Sequence, residues 1–399
     1  LETHIQLNTE TKIFCACKAD SWEAEPNTNI CPICTGQPGV LPRLNAEAVQ
    51  KGALLAAAMH AEINPCSLFD RKHYFYPDLP KGFQITQLFE PIGKGGYLDL
   101  YMPDGEIKRV RINKMHLEED AGKTKLEHGQ RMVDLNRGGV PLVEMVTEPD
   151  LRSGEEAAQY LSQLRELLRW IGVSEADMER GHLRCDANVS IREKGSTVLN
   201  TKTEIKNVNS IDSVRQAIIQ EARRQIELVE SGGKVEQYTL DWDADTGKLS
   251  MMRSKEGEAD YRYFREPDLQ PVILSNEEIE AIKASLPELP YARRRRFVED
   301  YHLSAYDAEV LTSERGLSDY FEEAVALYAK EPKTISNWMM NDMIRLMNDT
   351  GKSARDLVLK PSALVEIVKL LDDGKINAAT GKSLLVKVEQ TGKAPARIV

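Results

Sequence analysis

Tyr97-Leu98-Asp99-Leu100-Tyr101-Met102 and Glu106-Ile107-Lys108-Arg109-Val110-Arg111-Ile112 alternate polar and apolar residues on either side of Pro103-Asp104-Gly105. Period-two patterning interrupted by turn chemistry predicts an antiparallel β-hairpin. Two helical stretches follow it. Ser153 and Glu156 are spaced as a capping box ahead of Ala157, Leu161, Leu164, Leu168 and Ile171, and Gly172 stands where a C′ glycine belongs. Ile211, Val214, Ile218 and Ala222 mark a second amphipathic helix over about Ile211 to Glu230, ending at Gly232-Gly233. Both helices read as covers for an antiparallel sheet, so the expected fold class is α+β.

Around Leu286-Pro287-Glu288-Leu289-Pro290 the strand signals give way to helical spacing with short polar breaks. The expected domains are therefore 1–288, mixed sheet and helix; 289–350, all-α; and 351–399, a helical and basic tail. Arg293 to Arg296, just past the first boundary, reads as a solvated helix face.

A chain of 399 residues is longer than one core usually organises. No apolar run reaches the length of a membrane span, and no charged-then-apolar leader opens the chain, so a cytoplasmic protein with no membrane contact is expected. The sequence begins at Leu1 rather than Met, and upstream residues are expected to be missing. Net charge is −11, from 52 Lys and Arg against 63 Asp and Glu, which argues against a general nucleic-acid coat. From Gly351 to Val399, nine cationic residues against five acidic ones leave a net +4, so a bound polyanion would meet that end.

Four of the six cysteines form Cys15-Ala16-Cys17 and Cys31-Pro32-Ile33-Cys34, followed by Thr35-Gly36. Two paired knuckles brought together by a loop supply the four soft ligands of a structural zinc site; the alternative is two reduced or disulfide-linked pairs. Cys66 and Cys185 read as small buried hydrophobes.

Three Gly-Lys-Ser/Thr triplets begin at Gly122, Gly351 and Gly381, but a P-loop needs a glycine five positions before each. Leu117, Leu346 and Ile376 stand there instead. Glu2 and His4 alternate onto one face of a strand, His116 to Lys123 offers several oxygen donors beside basic groups, and Glu144 lies in an apolar run. Carboxylates with a histidine suit Mg²⁺, although each cluster alone also reads as an exposed acidic patch. Phe69-Asp70-Arg71-Lys72-His73-Tyr74-Phe75-Tyr76-Pro77-Asp78 mixes cations with aromatics, as a phosphate or nucleotide contact does and as an amphipathic strand edge also does.

These last blocks, with Val133 to Arg137, Thr147 to Asp150, Leu183 to Ser190, Glu204 to Ser210 and Asp260 to Phe264, resemble the B subunits of bacterial aspartyl/glutamyl-tRNA amidotransferases over nearly the whole chain. The resemblance implies a cradle-like N-terminal domain, a helical domain and a tRNA-binding tail inside which this chain stops. It implies ATP- and Mg²⁺-dependent phosphorylation of the side-chain carboxylate of mischarged Glu-tRNA(Gln) or Asp-tRNA(Asn), then amidation by ammonia. By the same resemblance Glu2, His4, Glu119 and Glu144 are magnesium ligands, with Glu118 as the alternative to Glu119. Arg71, Lys72 and Tyr74 would meet the nucleotide, and Lys72 and Glu119 would be catalytic. Cys15, Cys17, Cys31 and Cys34 match the zinc cysteines that some members keep. No Gly-Gly-Ser-Ser stretch of the amidase type is present, so the partners expected in a heterotrimer are a glutaminase, its A subunit, with a small C subunit. Competing readings are a zinc-ribbon tRNA scaffold, to which an acidic metal cluster would be useless, and an ATP-dependent ligase acting on a free carboxylate.

Overall fold

A computed structural model describes residues 1–254, 261–328 and 330–398; Asp260 and Val399 lie outside them. The chain divides into two compact units, Leu1–Leu286 and Pro287–Val399.

The first unit is built on a ten-stranded sheet. From one edge its order is Lys248–Ser254, Tyr238–Asp243, Thr203–Val208, Leu183–Val189, Glu2–Gln6, Pro141–Thr147, Ile107–Glu119, Gly93–Lys94 and Glu62–Ile63; Tyr97–Tyr101 pairs with the first part of the long strand. Its pairs are antiparallel except Thr203–Val208 with Tyr238–Asp243. The hairpin read from the sequence forms with Tyr97 opposite Arg111 and Tyr101 opposite Ile107.

Helices cover one face. Ala46–Ala58 packs on the long strand, Gly154–Ile171 on Tyr97–Tyr101, and Ile211–Glu230 on Leu183–Val189 and Thr203–Val208. Gly154–Ile171 starts where Ser153 accepts from Glu156 N and stops at Gly172, whose φ is 73°. The Glu156 carboxylate accepts from Arg152 N, one residue before the position the capping-box pattern specifies.

Alternation sorts the central strands cleanly. Ile5, Leu117, Val143, Met145, Leu183 and Cys185 are buried on the helix side. Glu2, His4, Gln6, His116, Glu118, Glu144, Arg184 and Asp186 occupy the alternate positions and so share the other face. Over part of that face lies a small sheet of Asp70–His73, Phe83–Thr86 and Phe264–Arg265, joined to the long strand where Thr86 Oγ1 donates to Glu118 Oε2 (3.1 Å).

Three readings differ from the structure. Cys66 is exposed on a short edge strand, Cys66–Ser67, whereas Cys185 is buried. Arg293 and Arg296 are not a solvated face: both bond to Glu288, Arg293 reaches Asp319 (2.5 Å) and Arg296 reaches Glu322 (2.7 Å), which pins the Pro290–Tyr301 helix to the Arg315–Leu327 helix. The division expected at 350/351 falls inside one core, because Leu357, Leu364, Val368 and Leu384 pack in the same cluster as Phe297, Phe321 and Met343.

Gly96 turns the chain at the edge of the sheet with φ of 101°, and a Cβ there would lie 2.6 Å from Met59 O. Gly96→Ala is expected to destabilise the protein by about 2 kcal/mol or more, from strain plus displacement of a backbone carbonyl. A loss of unfolding free energy, measured by urea titration, of less than about 0.5 kcal/mol would contradict this account.

Candidate active site

Register builds the site. Arg184, His4, Glu144 and His116 sit opposite one another on four consecutive strands, so their side chains form one row across the sheet. Glu2 and Glu118 stand two positions along their own strands on the same face. His116 Nε2 lies 3.1 Å from Glu144 Oε2 and 3.6 Å from Glu118 Oε2. His4 Nε2 is 3.6 Å from Glu144, 3.7 Å from Glu2 and 4.0 Å from Glu118.

Burying carboxylates together is costly unless positive charge answers them. Burial works against charge on His116, but Glu144 and Glu118 outweigh it and hold the imidazolium up at about 9. His4 is likewise raised despite burial, by Glu144 and Glu118. Burial opposes ionisation of Glu144 too, yet His116 and His4 keep it well below the usual carboxylate range, while Glu2 is raised by burial and by Glu144. The row ends at Asp120, which accepts from Gln6 Nε2 (2.8 Å) and Arg184 (2.9 Å) with Arg137 at 3.5 Å; Arg184 and Arg137 hold it ionised against burial.

Glu2, His4 and Glu144, and His116, Glu118 and Glu144, are two groups whose donor atoms each lie within 4.8 Å of one another, and they share Glu144. Three carboxylates with two imidazoles form a donor set for a hard or borderline divalent cation. Nδ1 of His116 is buried with no hydrogen-bond partner among the described residues. Lys72 faces this group from the small sheet: burial works against its charge, but Glu118 and Glu144 raise it, and its ammonium lies 5.0 Å from the Tyr261 ring centre and 5.8 Å from that of Tyr74.

A family model of the GatB/GatE catalytic domain matches residues 1–280, and one of the GatB domain matches residues 319–399. Along its whole length the chain is 50% identical to the B subunit of the aspartyl/glutamyl-tRNA(Asn/Gln) amidotransferase of Thermodesulfovibrio yellowstonii, covering 84% of that protein. It is 46% identical to the same protein from Persephonella marina, with 84% covered, and 48% identical to that from Myxococcus xanthus, with 83% covered. The chain belongs to the GatB/GatE family.

In this GatB-family chain two of the residues singled out from sequence lie outside the row. Glu119 follows Glu118 on the same strand and so faces the other way; its carboxylate takes an ion pair from Lys81 and a hydrogen bond from Ile85 N (2.9 Å). Glu118, not Glu119, joins Glu2, His4 and Glu144. Arg71 precedes Lys72 and likewise turns away. It is bidentate to Glu266 at 2.7 and 2.9 Å, reaches Asp268 at 3.2 Å, and lies 4.3 Å from the Phe83 ring centre. Arg71 and Glu119 both line a separate cavity of about 180 Å³ beside the cysteine knuckles. Tyr74 stays on the Lys72 side and donates to Gln84 Oε1 (3.1 Å); burial and the acidic row raise its phenol above the ordinary value.

Cys15, Cys17, Cys31 and Cys34 converge with sulfurs within 4.8 Å of one another, all as free thiols. Cys34 Sγ accepts from Cys31 N (3.2 Å), and Lys12 Nζ lies 3.7 Å away. Hydrogen bonding from Cys15, with the Lys12 charge nearby, pulls Cys34 far below an ordinary thiol. These four thiols form a group that can hold a metal. Sequence reasoning assigned Arg184 and Asp120 no individual role; a charged residue amid strand alternation was the available signal, but it does not reveal which strands become neighbours.

The His116 imidazolium gives a signed expectation for the protein stripped of divalent ions. A folded value of about 9 against an ordinary 6.5 means its contribution to stability is complete below pH 6.5 and lost as pH rises through 9. With chelator present, the melting temperature should fall between pH 6.5 and about 9, and His116→Gln should flatten that fall. An equally steep fall in the variant would remove His116 as its source.

Proposed function

We propose that this chain activates the side-chain carboxylate of Glu-tRNA(Gln) or Asp-tRNA(Asn) by ATP-dependent phosphorylation, and that ammonia then converts the activated group to the amide. The observation that carries this reading is the buried row of Glu2, His4, His116, Glu118 and Glu144 with the Lys72 ammonium facing it. A carboxylate resists nucleophiles because its charge repels them and oxide is a poor leaving group. Transfer of the γ-phosphoryl group of ATP to a carboxylate oxygen gives a mixed anhydride and ADP. Attack of ammonia on the carbonyl carbon then expels phosphate and leaves the amide.

Glu2, His4, His116, Glu118 and Glu144 would hold Mg²⁺, which when bound supplies charge neutralisation for the triphosphate. Lys72, kept protonated by the neighbouring carboxylates, offers a fixed positive charge for the phosphoryl group in transit. Tyr74 and Tyr261 flank that ammonium and keep it oriented. Arg184 neutralises Asp120, so the row's far end does not add to the negative charge that the substrate carboxylate must approach.

The four cysteines suit structural zinc, since four thiolates close a tetrahedron and leave no position for a substrate. Ammonia would come from an amidase, the A subunit, with a small C subunit to complete a cytoplasmic heterotrimer. No helix among the described residues is long and apolar enough to cross a membrane. The basic stretch 351–399 is placed in this reading against the tRNA.

The test is amide formation on mischarged Glu-tRNA by the complex with its partners, with ammonium supplied directly. Glu118→Gln is expected to lower kcat by about a hundredfold or more, the scale for loss of an electrostatic group at the transition state. Glu119→Gln, which leaves Lys81 without its partner, is expected to lower the melting temperature and to retain at least about ten times the Glu118→Gln rate. The reverse order of the two variants would overturn the assignment. Cys31→Ser should lower both bound zinc and thermal stability; an unchanged melting temperature in a zinc-free variant would remove the structural role.

A further inference from the structure

Beyond the carboxylate row lies a second cavity, of about 310 Å³, lined among others by Gln6, Trp22, Lys123, Arg137, Arg180 and His182. The amidation chemistry uses none of it. Gln6 joins the two places: it lies two residues along from His4 on the same strand face, a step of roughly 7 Å, and donates to Asp120, itself two residues past Glu118.

Trp22 is the wall that stands out. The side chain is 49% exposed, in a loop between the two cysteine knuckles, and its ring centre lies 5.2 Å from Lys123 Nζ and 5.6 Å from the Arg180 guanidinium carbon. The loop is fixed by Asn27, whose side chain donates to Val133 O (2.9 Å) and accepts from Leu135 N (2.8 Å). Three cations line the cavity against two carboxylates, Asp20 and Glu175. Burial and repulsion from Arg137 hold Lys123 below its ordinary value against the pull of Asp134 and Asp120. Burial also lowers His182, leaving a neutral ring whose Nδ1 has no hydrogen-bond partner among the described residues. A half-exposed indole with two cations over its ring brings together the parts by which single-stranded nucleic acid is held: a base takes a cation's place on the ring as that cation turns to a phosphate.

We propose that this cavity seats a base near the 3′ end of the aminoacylated RNA, stacked on Trp22 with its backbone phosphates on Lys123 and Arg180. The inference rests on the functional reading above. The base of ATP is the other candidate for a stacking site, but Lys125 continues the Lys123 face of the Lys123–Glu127 strand outward and is exposed. A polymer has a further phosphate to place there, whereas ATP does not. A nucleoside seated here would send its esterified amino acid along Gln6 toward His4 and Glu118.

In the complete complex, with ammonium as nitrogen donor, Trp22→Ala is expected to raise KM for Glu-tRNA about tenfold or more, the range for loss of one base–aromatic stack. KM for ATP and kcat at saturating tRNA should stay within about twofold. Trp22→Phe should restore most of the loss, which a merely structural role in the loop would not predict. Lys125→Ala, at an exposed position, should raise the same KM about two- to threefold, and more so at low salt. An unchanged tRNA KM in both Trp22→Ala and Lys125→Ala overturns the proposal, as does a rise in the ATP KM equal to that for tRNA. If the wild-type complex makes no amide, the functional reading fails instead, and the two failures are told apart by that control.

Discussion

The constraint on which the first unit depends is the lateral register of four strands that sets Arg184, His4, Glu144 and His116 side by side. A slip of one residue in the Glu2–Gln6 strand would turn Glu2, His4 and Gln6 into the helix-covered core and expose Thr3 and Ile5. Hydrophobic burial on one face therefore enforces the polar arrangement on the other. Thr3, Ile5, Leu117, Val143 and Met145, all at or near zero exposure, hold the strands in place. Mutual attraction then adjusts the polar side chains.

The carboxylates of that arrangement favour charge on its two imidazoles. His116 and His4 are raised by the same carboxylates that a divalent cation would bind. A divalent cation entering the row would thus compete with protons on the imidazoles. The arginines on Asp120 extend the same economy of charge: each carboxylate of the row has a cation on its own face of the sheet.

Much of this was legible from sequence, and the part that was not shares one cause. The hairpin at Tyr97–Ile112 and the helices Gly154–Ile171 and Ile211–Glu230 carry strong local periodicity and end where expected. The four cysteines converge as their spacing suggested, and Glu2, His4 and Glu144 converge as the family resemblance implied. Glu119 and Arg71 each lie outside the row beside a neighbour that joins or faces it, Glu118 and Lys72; the sequence kept Glu118 as the alternative to Glu119 and pointed to Arg71 and Lys72 alike. In a strand, neighbours point to opposite faces, and a charged pair has no apolar partner to reveal which member turns inward. Both faces here are polar locally, since Lys81 and Glu266 give Glu119 and Arg71 charged partners of their own. Arg293 and Arg296 hid for a related reason: their partners Asp319 and Glu322 are far along the chain, and helix-to-helix ion pairs leave no local pattern.

The cysteine knuckles gain meaning from what they carry. Cys17 and Cys31 bracket a loop that local sequence leaves irregular, and a loop of that length costs conformational entropy to hold in one shape. Four converging thiols at its base, Asn29 bonded to Lys18 O (2.7 Å) and to Asn136 through its backbone N (2.8 Å), and Asn27 bonded to the 123–134 hairpin together restrict it. The hairpin is itself two-stranded and would be marginal alone. Loop and hairpin therefore support one another, and the same contacts bring Trp22 and Lys123 to one rim. A metal at the four thiols would then bear on the proposed base seat through the position of Trp22.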